Sequence, residues 1–332
     1  MPTTINDVAA RAGVSIKTVS RVLNGEPHVR PAVRERVLEA ANALAYTPNQ
    51  SARRLAGNRS YLIAFFYNNP SPSYIAGIQS GAARRCRDLG YHLIVEPLER
   101  EAGNELGPVT GMVRTLAPDG VILIPPLSDD PSLISHLSTF NVPVVRIAGY
   151  GDGQGIKLET PEREGGRLAV EHLLASGHRR VAIVTAPAIH HAAAERLLGY
   201  FDALKAASIP VDSDLIVSGR FDLESGREAA VKLLDLPQPP TAIFAANDDM
   251  ALGVMRTARE RGLKVPEELS IVGFDDTPAS LSAWPPLTTV RQPLEELGAA
   301  AVELIVHAEA APKDAPKFNL VARGSVARRQ QR

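Results

Sequence analysis

Polar side chains that suit DNA lie on one face of a short helix near the start of the chain. In the segment VSIKTVSRVLN (14–24), helical periodicity turns Val19 and Val22 to one side. The opposite side carries an alkyl group, two cations and hydroxyls: Ile16, Lys17, Ser20 and Arg21, with Thr18 partly outward. Such side chains near a helix N-terminus meet base edges and phosphates in the major groove. Since lysine can donate to guanine O6 or N7, we expect Lys17 to favour a guanine.

Neighbouring segments predict the elements that would hold this helix. Before a break at Gly13, four apolar residues recur at helical spacing: Ile5, Val8, Ala9 and Ala12. Thr4 or Asn6 can cap this first helix, and Ser15 can cap the second. A third helix is predicted over 31–44, with five apolar residues to close a small core: Val33, Val37, Leu38, Ala41 and Leu44. The pattern indicates a helix-turn-helix bundle.

Charge is distributed unevenly along the 332 residues, although the net charge is only −1. Residues 1–60 contain nine Lys or Arg and four Asp or Glu, whereas the remainder carries a net charge of −6. A basic head on an acidic body is typical of a nucleic-acid reader joined to a different module. The alternative for the second helix alone is an amphipathic helix with solvated basic residues, but the spacing of both helices and the turn favours the DNA reader.

The N-terminal segment TINDVAARAGVSIKTVSRVLN closely resembles the signature of the lactose/galactose repressor family. The resemblance implies that Ile16 and Lys17 discriminate operator bases, and that Thr18, Ser20 and Arg21 secure the helix on the groove. The full set of expected DNA contacts in this domain is Thr4, Ser15, Ile16, Lys17, Thr18, Ser20, Arg21 and Asn24.

The next segment, AYTPNQSARRLAGNRS (45–60), predicts a helix of about two turns between Asn49 and Gly57. A helix this short is marginal in water unless something holds it, and a flexible basic linker is the alternative. In the family that the segment resembles, two such hinge helices lie in the minor groove, where a leucine wedges between base pairs. Leu55 matches that leucine, with Ala52 beside it, and the residues matched to backbone contacts are Asn49, Arg53 and Arg54.

The rest of the chain alternates short apolar runs with helical stretches. Nine runs predict buried parallel strands: LIAFFY, YHLIV, GVILIP, PVVRIA, RVAIVTA, LIVSG, TAIFAAN, LSIVGF and TTVRQP. A break after GYGDGQG (149–155), with a fresh series near Glu159, predicts two similar α/β lobes with a cleft between them. Ligands bind beyond the carboxyl ends of such strands. Candidates there are Asn69, Tyr74, Asn247, Asp248, Asp275, Asp276 and Gln292.

This body resembles the family's two-lobed, periplasmic-binding-protein-like effector module. The matching segments include AERLLGYFDAL, FAANDDMALGVMR and LSIVGFDD. The resemblance implies a polar clamp of Arg196, Asn247 and Asp275, whose donors and acceptors suit a sugar. It also implies that Tyr74 and Phe221 pack on the apolar face of the ligand, with Gln292 as a sixth contact. Loop capping is the alternative for Asn247 or Asp275 taken alone.

Two departures from the family pattern affect these expectations. Ala148 and Gly149 follow the strand PVVRI, where members often carry a polar side chain, and Glu159-Thr160 stand where members commonly show Asp-Asn. The segment AIHHA adds His190 and His191 as further candidates for effector contact. Adjacent imidazoles point apart and make a poor metal pair.

Other classes of protein fit the sequence less well. GYGDGQG has the G-x-G spacing of a dinucleotide site but lacks the following helix start and acidic residue, and no GK[ST], G-x-S-x-G or HExxH motif occurs. An exported sugar-binding protein is disfavoured by the basic head and by an N-terminus without the apolar core of a signal peptide. No run of about 18 apolar residues predicts a membrane span. The single cysteine, Cys86, is expected to be a buried, unreactive thiol.

The sequence thus predicts a cytoplasmic, homodimeric transcriptional regulator of the repressor class. It should have an all-α helix-turn-helix domain (1–46), a hinge (47–60) and a two-lobed α/β effector domain (61–332). Its expected partners are double-stranded operator DNA and a small effector, a sugar by chemical preference. No catalytic residue, cofactor or metal is expected. A tetramerising heptad at the C-terminus is not expected either.

Overall fold

A computed structural model describes residues 3–23, 27–46, 59–98, 106–151, 153–187, 189–307 and 317–329. The chain divides into two compact units, Met1–Tyr61 and Leu62–Arg332. The first is helical, and the second contains two sheets with helices packed on them. The predicted fold class, a helix-turn-helix region followed by a two-lobed α/β body, is therefore confirmed.

Within its described residues, the first unit contains three helices: α1 (Ile5–Ala12), α2 (Ile16–Leu23) and α3 (Pro31–Ala43). Thr4 and Asp7 form a capping box at the start of α1, and Gly13 ends that helix with a φ of 63°. The Ser15 hydroxyl accepts from the Thr18 N–H at 3.2 Å and so caps α2. These local signals fix the tight turn that the sequence predicts between the two helices.

The core of this unit corrects one expectation about α3. Val8, Val19 and Val37 are fully buried and lie in one cluster. Leu38, predicted to be in the core, is 44% exposed, and Ala40 is buried instead. The reason is helical geometry: residues 37, 40, 41 and 44 form the inward stripe, whereas residue 38 is turned away from it by about a quarter of a turn.

The second unit contains eleven strands in the described residues. They are β1 (Leu62–Tyr67), β2 (His92–Pro97), β3 (Gly120–Leu123), β4 (Val144–Ile147), β5 (Ile156–Leu158), β6 (Val181–Thr185), β7 (Ile216–Ser218), β8 (Ala242–Ala245), β9 (Ser270–Asp275), β10 (Thr288–Arg291) and β11 (Asn319–Val321). All nine predicted runs contain a strand. The nine runs leave out β5 and β11, which have only three residues each and form edges of their sheets.

Nine helices cover these sheets in the part of the chain that the structure describes. They are α4 (Pro72–Asp88), α5 (Gly107–Leu116), α6 (Pro131–Ser138), α7 (Glu162–Ala175), α8 (His191–Ala206), α9 (Leu223–Leu234), α10 (Asp248–Glu260), α11 (Pro278–Ser282) and α12 (Leu294–Val306). One sheet has the order β2-β1-β3-β4-β5 and the other β11-β10-β9-β8-β6-β7. Every pairing among these described strands is parallel except that of β10 with β11. Parallel pairing places the carboxyl ends of the strands at one edge of each sheet.

The boundary between the lobes lies later than the predicted break at GYGDGQG. Strand β5 pairs with β4 and still belongs to the first sheet, and the second lobe begins with α7 at Glu162. The last helix, α12, returns to the first lobe, where it packs against α4, and β11 then pairs with β10 in the second lobe. The chain therefore crosses between the lobes three times.

Two further features bear on the sequence predictions. Cys86 is fully buried, and burial raises the pKa of its thiol to about 12. Within the described ranges, no helix combines the length and the apolar character that a membrane crossing needs.

The contact between α4 and α12 depends on glycines at the crossing. A Cβ at Gly81 would lie 1.8 Å from the Glu295 carbonyl oxygen. Gly81→Ala should force the helices apart and lower the free energy of unfolding by about 1–3 kcal/mol or more, as overpacking of a core does. The matched control is Gly111→Ala on α5, where nothing lies within 4 Å; it should raise stability by about 0.5–1 kcal/mol. Urea titrations of both variants measure the effect, and equal shifts would contradict this packing account.

Candidate functional site

The outward face of α2 has the arrangement that the sequence predicts. Ile16 is 50% exposed, and Lys17 and Arg21 are exposed as well. Thr18 and Ser20 are half-buried at the edge of the same face. Val19 and Val22, on the other side, are buried in the core. An exposed alkyl side chain beside two cations leaves this face available to a partner.

The remaining residues predicted to contact DNA either cap a helix or lie outside the described residues. The Thr4 and Ser15 side chains cap α1 and α2, so each has a structural bond already. The Ser15 and Thr18 hydroxyl oxygens are 2.9 Å apart. The others lie outside the described residues: Asn24, Asn49, Ala52, Arg53, Arg54 and Leu55. Their roles stay predictions.

A small cavity lies where the carboxyl ends of the two sheets meet, and we call it the cleft cavity. Ten residues line it: Asn69, Ser71, Tyr74, Pro125, His190, Ala192, Arg196, Phe221, Asn247 and Asp275. Five of the six predicted effector residues are among them; Gln292 is not. Its volume is about 30 Å³, far below the roughly 300–1,000 Å³ of the usual ligand pocket. The structure thus has the cleft in a closed form.

Arg196 forms the buried floor of the cleft cavity. Its Nε donates to Glu162 Oε2 at 2.7 Å, and its Nη1 donates to the Ala246 carbonyl. The guanidinium carbon lies 3.8 Å from the centre of the Phe274 ring. Both partners of the ion pair are about 95% buried. A buried guanidinium needs a carboxylate, because an unpaired buried charge costs several kcal/mol.

Glu162, the ion-pair partner of Arg196, was not predicted from the sequence. It opens α7, directly after the crossing between the lobes, and its Oε1 accepts from Thr160 Oγ1 at 2.9 Å. The signal was present in the sequence, since Glu162 follows the unusual Glu159-Thr160 pair. Only the need for a carboxylate beside the buried Arg196 would have identified Glu162 among the acidic residues of the sequence.

Asn247 shapes the cavity through bonds within the protein. Its Oδ1 accepts from the Met250 N–H and its Nδ2 donates to the Phe221 carbonyl, both at 2.9 Å. The first bond caps α10, as the loop-cap alternative expects. The second holds Phe221, whose φ of 63° costs about 1–3 kcal/mol for a residue other than glycine. Asn247 therefore fixes the aromatic wall of the cavity.

Asp275 ends β9 and is only 4% exposed. Burial raises the pKa of its carboxyl well above the usual range, and the Arg196 charge opposes that rise. Oδ1 accepts from Gln292 Nε2 at 2.6 Å. Gln292, predicted to contact the effector, is not among the residues that line the cleft cavity, and its bond orients the Asp275 carboxyl. The reason is that Gln292 starts the crossing from β10 to α12 and does not reach the cleft cavity.

Asp248 holds the loop that carries Asp275 through hydrogen bonds. Its carboxylate oxygens accept from the Thr277 N–H at 2.7 Å and from Thr289 Oγ1 at 2.6 Å. The side chain is fully buried, and burial raises its pKa to about 7. These bonds tie the start of α10 to the loop that carries Asp275.

The two histidines after β6 have separate contacts. His190 lines the cleft cavity, and its ring lies 5.0 Å from that of Phe221, edge to face. Burial lowers the pKa of His190. His191 stacks at 4.9 Å on Tyr150 of the first lobe. Among the described residues, no three His, Cys, Asp or Glu side chains group as a metal site.

Direct contacts join the lobes around the cleft. Ser71 Oγ donates to Asp249 Oδ2 at 2.6 Å, which links the start of α4 to the start of α10. Beside the Tyr150–His191 stack is a larger cavity of about 530 Å³, lined in part by Ala148, Gly149 and Glu159. The small residues at 148 and 149 leave this flank open.

The glycines of GYGDGQG surround an arginine. A Cβ at Gly149 would lie 2.8 Å from Arg146 Cβ, and a Cβ at Gly153 would lie 2.6 Å from Arg146 Nη1. Arg146 is 2% exposed in the middle of β4. The glycine spacing therefore serves close packing around Arg146, which accounts for the motif without a dinucleotide.

Comparison with known proteins agrees with both units. Residues 4–49 match the model of bacterial regulatory proteins of the lacI family, and residues 170–330 match that of a periplasmic binding protein-like domain. The probable HTH-type transcriptional repressor ExuR of Bacillus subtilis (strain 168) is 34% identical over 308 residues, 91% of this chain and 90% of the relative.

Two solved structures are similar along nearly the whole chain. One is the complex of the transcriptional regulator CelR with cellobiose, with a TM-score of 0.72 and 33% identity, covering 97% of this chain and 99% of that one. The other is the lac repressor dimer bound to operator and the anti-inducer ONPF, with a TM-score of 0.78 and 31% identity, covering 98% and 100%. The chain belongs to the lacI family of DNA-binding transcriptional regulators, and the prediction that it is not an enzyme is confirmed.

The pKa of Asp248 predicts how pH affects the brace behind the site. The pKa of Asp248 is higher in the folded chain than in the unfolded chain. Its contribution to the free energy of unfolding is therefore complete below about pH 4 and is lost as the pH rises through about 7. In the Asp248→Asn variant, the amide could accept from the Thr277 N–H and donate to the Thr289 hydroxyl, so the variant should fold. Wild type should lose stability relative to this variant between about pH 4 and 7 in thermal unfolding scans. Parallel curves over that range would refute the account.

Proposed function

We propose that this chain is a sugar-responsive repressor that binds a palindromic operator as a homodimer. The observation that carries the proposal is the cleft cavity, where a buried arginine, a carboxylate and two aromatic rings converge in a chain with an exposed basic recognition helix. Similar proteins bind cellobiose in one structure and operator DNA with ONPF in another.

The DNA-reading part of the proposal rests on α2. Ile16 and Lys17 occupy the first turn of that helix, and both are exposed. In helix-turn-helix proteins the first turn of the recognition helix meets the base edges. We assign operator choice to this pair, and phosphate contacts to Thr18, Ser20 and Arg21. Leu55 acts as the minor-groove wedge of a hinge helix that forms on DNA.

The sugar part of the proposal rests on the chemistry of the cleft cavity. Sugar hydroxyls donate to a carboxylate such as Asp275 and accept from a guanidinium such as Arg196. The rings of Tyr74 and Phe221 match the apolar face of a sugar ring. Because a cavity of about 30 Å³ is far smaller than the usual ligand pocket, the effector must enter while the lobes are apart. Entry then breaks the Ser71–Asp249 bond and the Tyr150–His191 stack, which join the lobes in this structure.

Coupling between the two parts follows from this movement. The effector binds both lobes, so it stabilises one relative arrangement of the lobes over the others. In a dimer, that arrangement sets the distance between the two first lobes and hence between the two hinge segments. The effector thereby governs whether the hinge helices meet on DNA.

The operator assignment is tested with a site selected from random DNA by the purified protein. Lys17→Ala should weaken binding to that site about 5- to 150-fold, the range of about 1–3 kcal/mol for a base contact, and relax the preference for one base. Lys205→Ala, an exposed lysine on α8, is the matched control and should bind as wild type does. Leu55→Gly should weaken operator binding while effector binding persists. An unchanged base preference in Lys17→Ala would exclude our assignment.

The effector assignment is tested by Asp275→Asn, which keeps the side-chain size and the unusual backbone angle accessible. A thermal-shift screen of the wild type against mono- and disaccharides identifies a stabilising sugar. Its affinity for Asp275→Asn should fall at least about tenfold, because an ionic hydrogen bond contributes about 1.5–3 kcal/mol. Asp214→Asn, an exposed carboxylate distant from the cleft, is the control. If the sugar changes operator binding equally in all three proteins, the cleft is not the effector site.

A further inference from the structure

The charge of Arg196 in the cleft cavity is already compensated by the protein. Its Nε donates to Glu162 Oε2 at 2.7 Å, and its Nη1 donates to the Ala246 carbonyl. The two side chains of the ion pair are only 5% and 6% exposed. The pair is therefore complete before a ligand arrives, and Arg196 brings no net positive charge to the cavity.

The other titratable side chains that line the cavity add no positive charge at pH 7. Burial lowers the pKa of the His190 imidazole, and the nearby charge of Arg196 lowers it further. Since an ordinary imidazole titrates at about pH 6.5, His190 is neutral at pH 7. Burial also raises the pKa of the Tyr74 phenol, which keeps that group neutral. Among the described residues that line the cavity, Arg196 is thus the one cation.

Carboxyl groups outnumber Arg196 around the cavity. Asp275 lines the cavity, Glu162 pairs with Arg196, and Asp249 accepts from Ser71 Oγ, which lies on the first-lobe side. Burial raises the pKa of both Asp275 and Asp249, as it does for carboxyl groups with too little positive charge nearby. The summed charge of these groups is therefore at most zero, whether or not Asp275 holds a proton.

An anion would be unfavourable in such a cavity. Most of the residues that line it are buried, so an entering carboxylate or phosphate would lose much of its hydration. It would gain no free counter-ion in return, because the Arg196 charge is shared with Glu162, and an ionised Asp275 would repel it. Hydroxyl groups donate to Asp275 and accept from Arg196 without bringing a charge into the cavity.

The position of Glu162 is fixed by packing, so a ligand cannot readily take its place. Glu162 Oε1 accepts from Thr160 Oγ1 at 2.9 Å. The helix that begins at Glu162, α7, lies against α8, which carries Arg196. The two backbones are close: a Cβ at Gly166 of α7 would lie 2.3 Å from the Arg196 carbonyl oxygen. The carboxylate and the guanidinium are therefore held together by two helices as well as by their charges.

We propose that Glu162 determines the specificity of the cleft by making it reject anionic sugars, so that the effector carries neither a carboxylate nor a phosphate group. The inference rests on the proposed function, because it concerns the ligand of the same cleft. Glu162 does not line the cleft cavity and acts through Arg196. With an uncharged residue at position 162, Arg196 would be a counter-ion for an anionic ligand.

The first test compares uncharged and anionic forms of the same sugars on the wild-type protein. The probes are D-glucose with D-glucuronate, D-galactose with D-galacturonate, and trehalose and cellobiose with their phosphate monoesters. Thermal-shift scans find the sugars that bind, and calorimetric titration gives each Kd. We expect at least one uncharged sugar to bind, and its anionic partner to bind at least about tenfold more weakly, because a buried charge without a counter-ion is costly.

Glu162→Gln tests the residue itself, because it removes the charge and keeps the shape. Its amide oxygen can accept from Arg196 Nε, and its amide N–H can donate to Thr160 Oγ1. The charge of Arg196 then lacks compensation, so the Kd of the anionic sugar relative to that of its uncharged partner should fall at least about tenfold. Glu164→Gln, an exposed carboxylate in the same turn of α7, is the matched control and should leave this ratio unchanged.

Two outcomes would overturn the inference and leave the proposed function standing. One is a wild-type protein that binds an anionic sugar as tightly as its uncharged partner, and the other is a folded Glu162→Gln variant with the wild-type Kd ratio. If Glu162→Gln does not fold, the wild-type comparison decides. If no probe of either kind binds the wild type, the proposed sugar response fails and this inference fails with it.

Discussion

The ion pair between Glu162 and Arg196 joins the parts of the body on which ligand recognition depends. Glu162 begins the first helix after the chain leaves the first lobe, and Arg196 reaches from α8 to the end of β8 and to the Phe274 ring. Buried charges hold a geometry firmly, because displacing either one leaves the other unpaired in a medium of low polarity. The crossing between the lobes and the floor of the cleft cavity therefore keep a fixed relation to each other.

A second set of bonds holds the rest of that floor. Asp248 and Gln292 do not line the cavity but orient the loop and the side chain of Asp275, whereas Asn247 lines the cavity and also holds Phe221. The strained backbone of Phe221 and the left-handed φ of Asp275 persist because these side chains hold them. The cleft is thus built from two layers of side chains, of which only the inner one lines the cavity.

The sequence predicted the secondary-structure elements of this protein well, since short apolar runs and capping residues are local signals. Each apolar run predicted to be a strand contains one, and Gly13 and Ser15 end and begin helices as expected. What it missed depends on contacts between distant segments. The role of Glu162 depends on its ion pair with Arg196, and that of Gln292 depends on its bond to Asp275. The glycines of GYGDGQG are required because they pack around Arg146.

The return of α12 to the first lobe has a consequence for how the body can be taken apart. Residues of the first lobe come from both sides of the second lobe in the chain, so neither lobe is a continuous segment. A fragment ending after β10 would lack the helix that covers α4, and the exposed glycine face of α4 would have no partner. Because the first lobe needs α12, its core cannot be completed until the ribosome has made almost the whole chain.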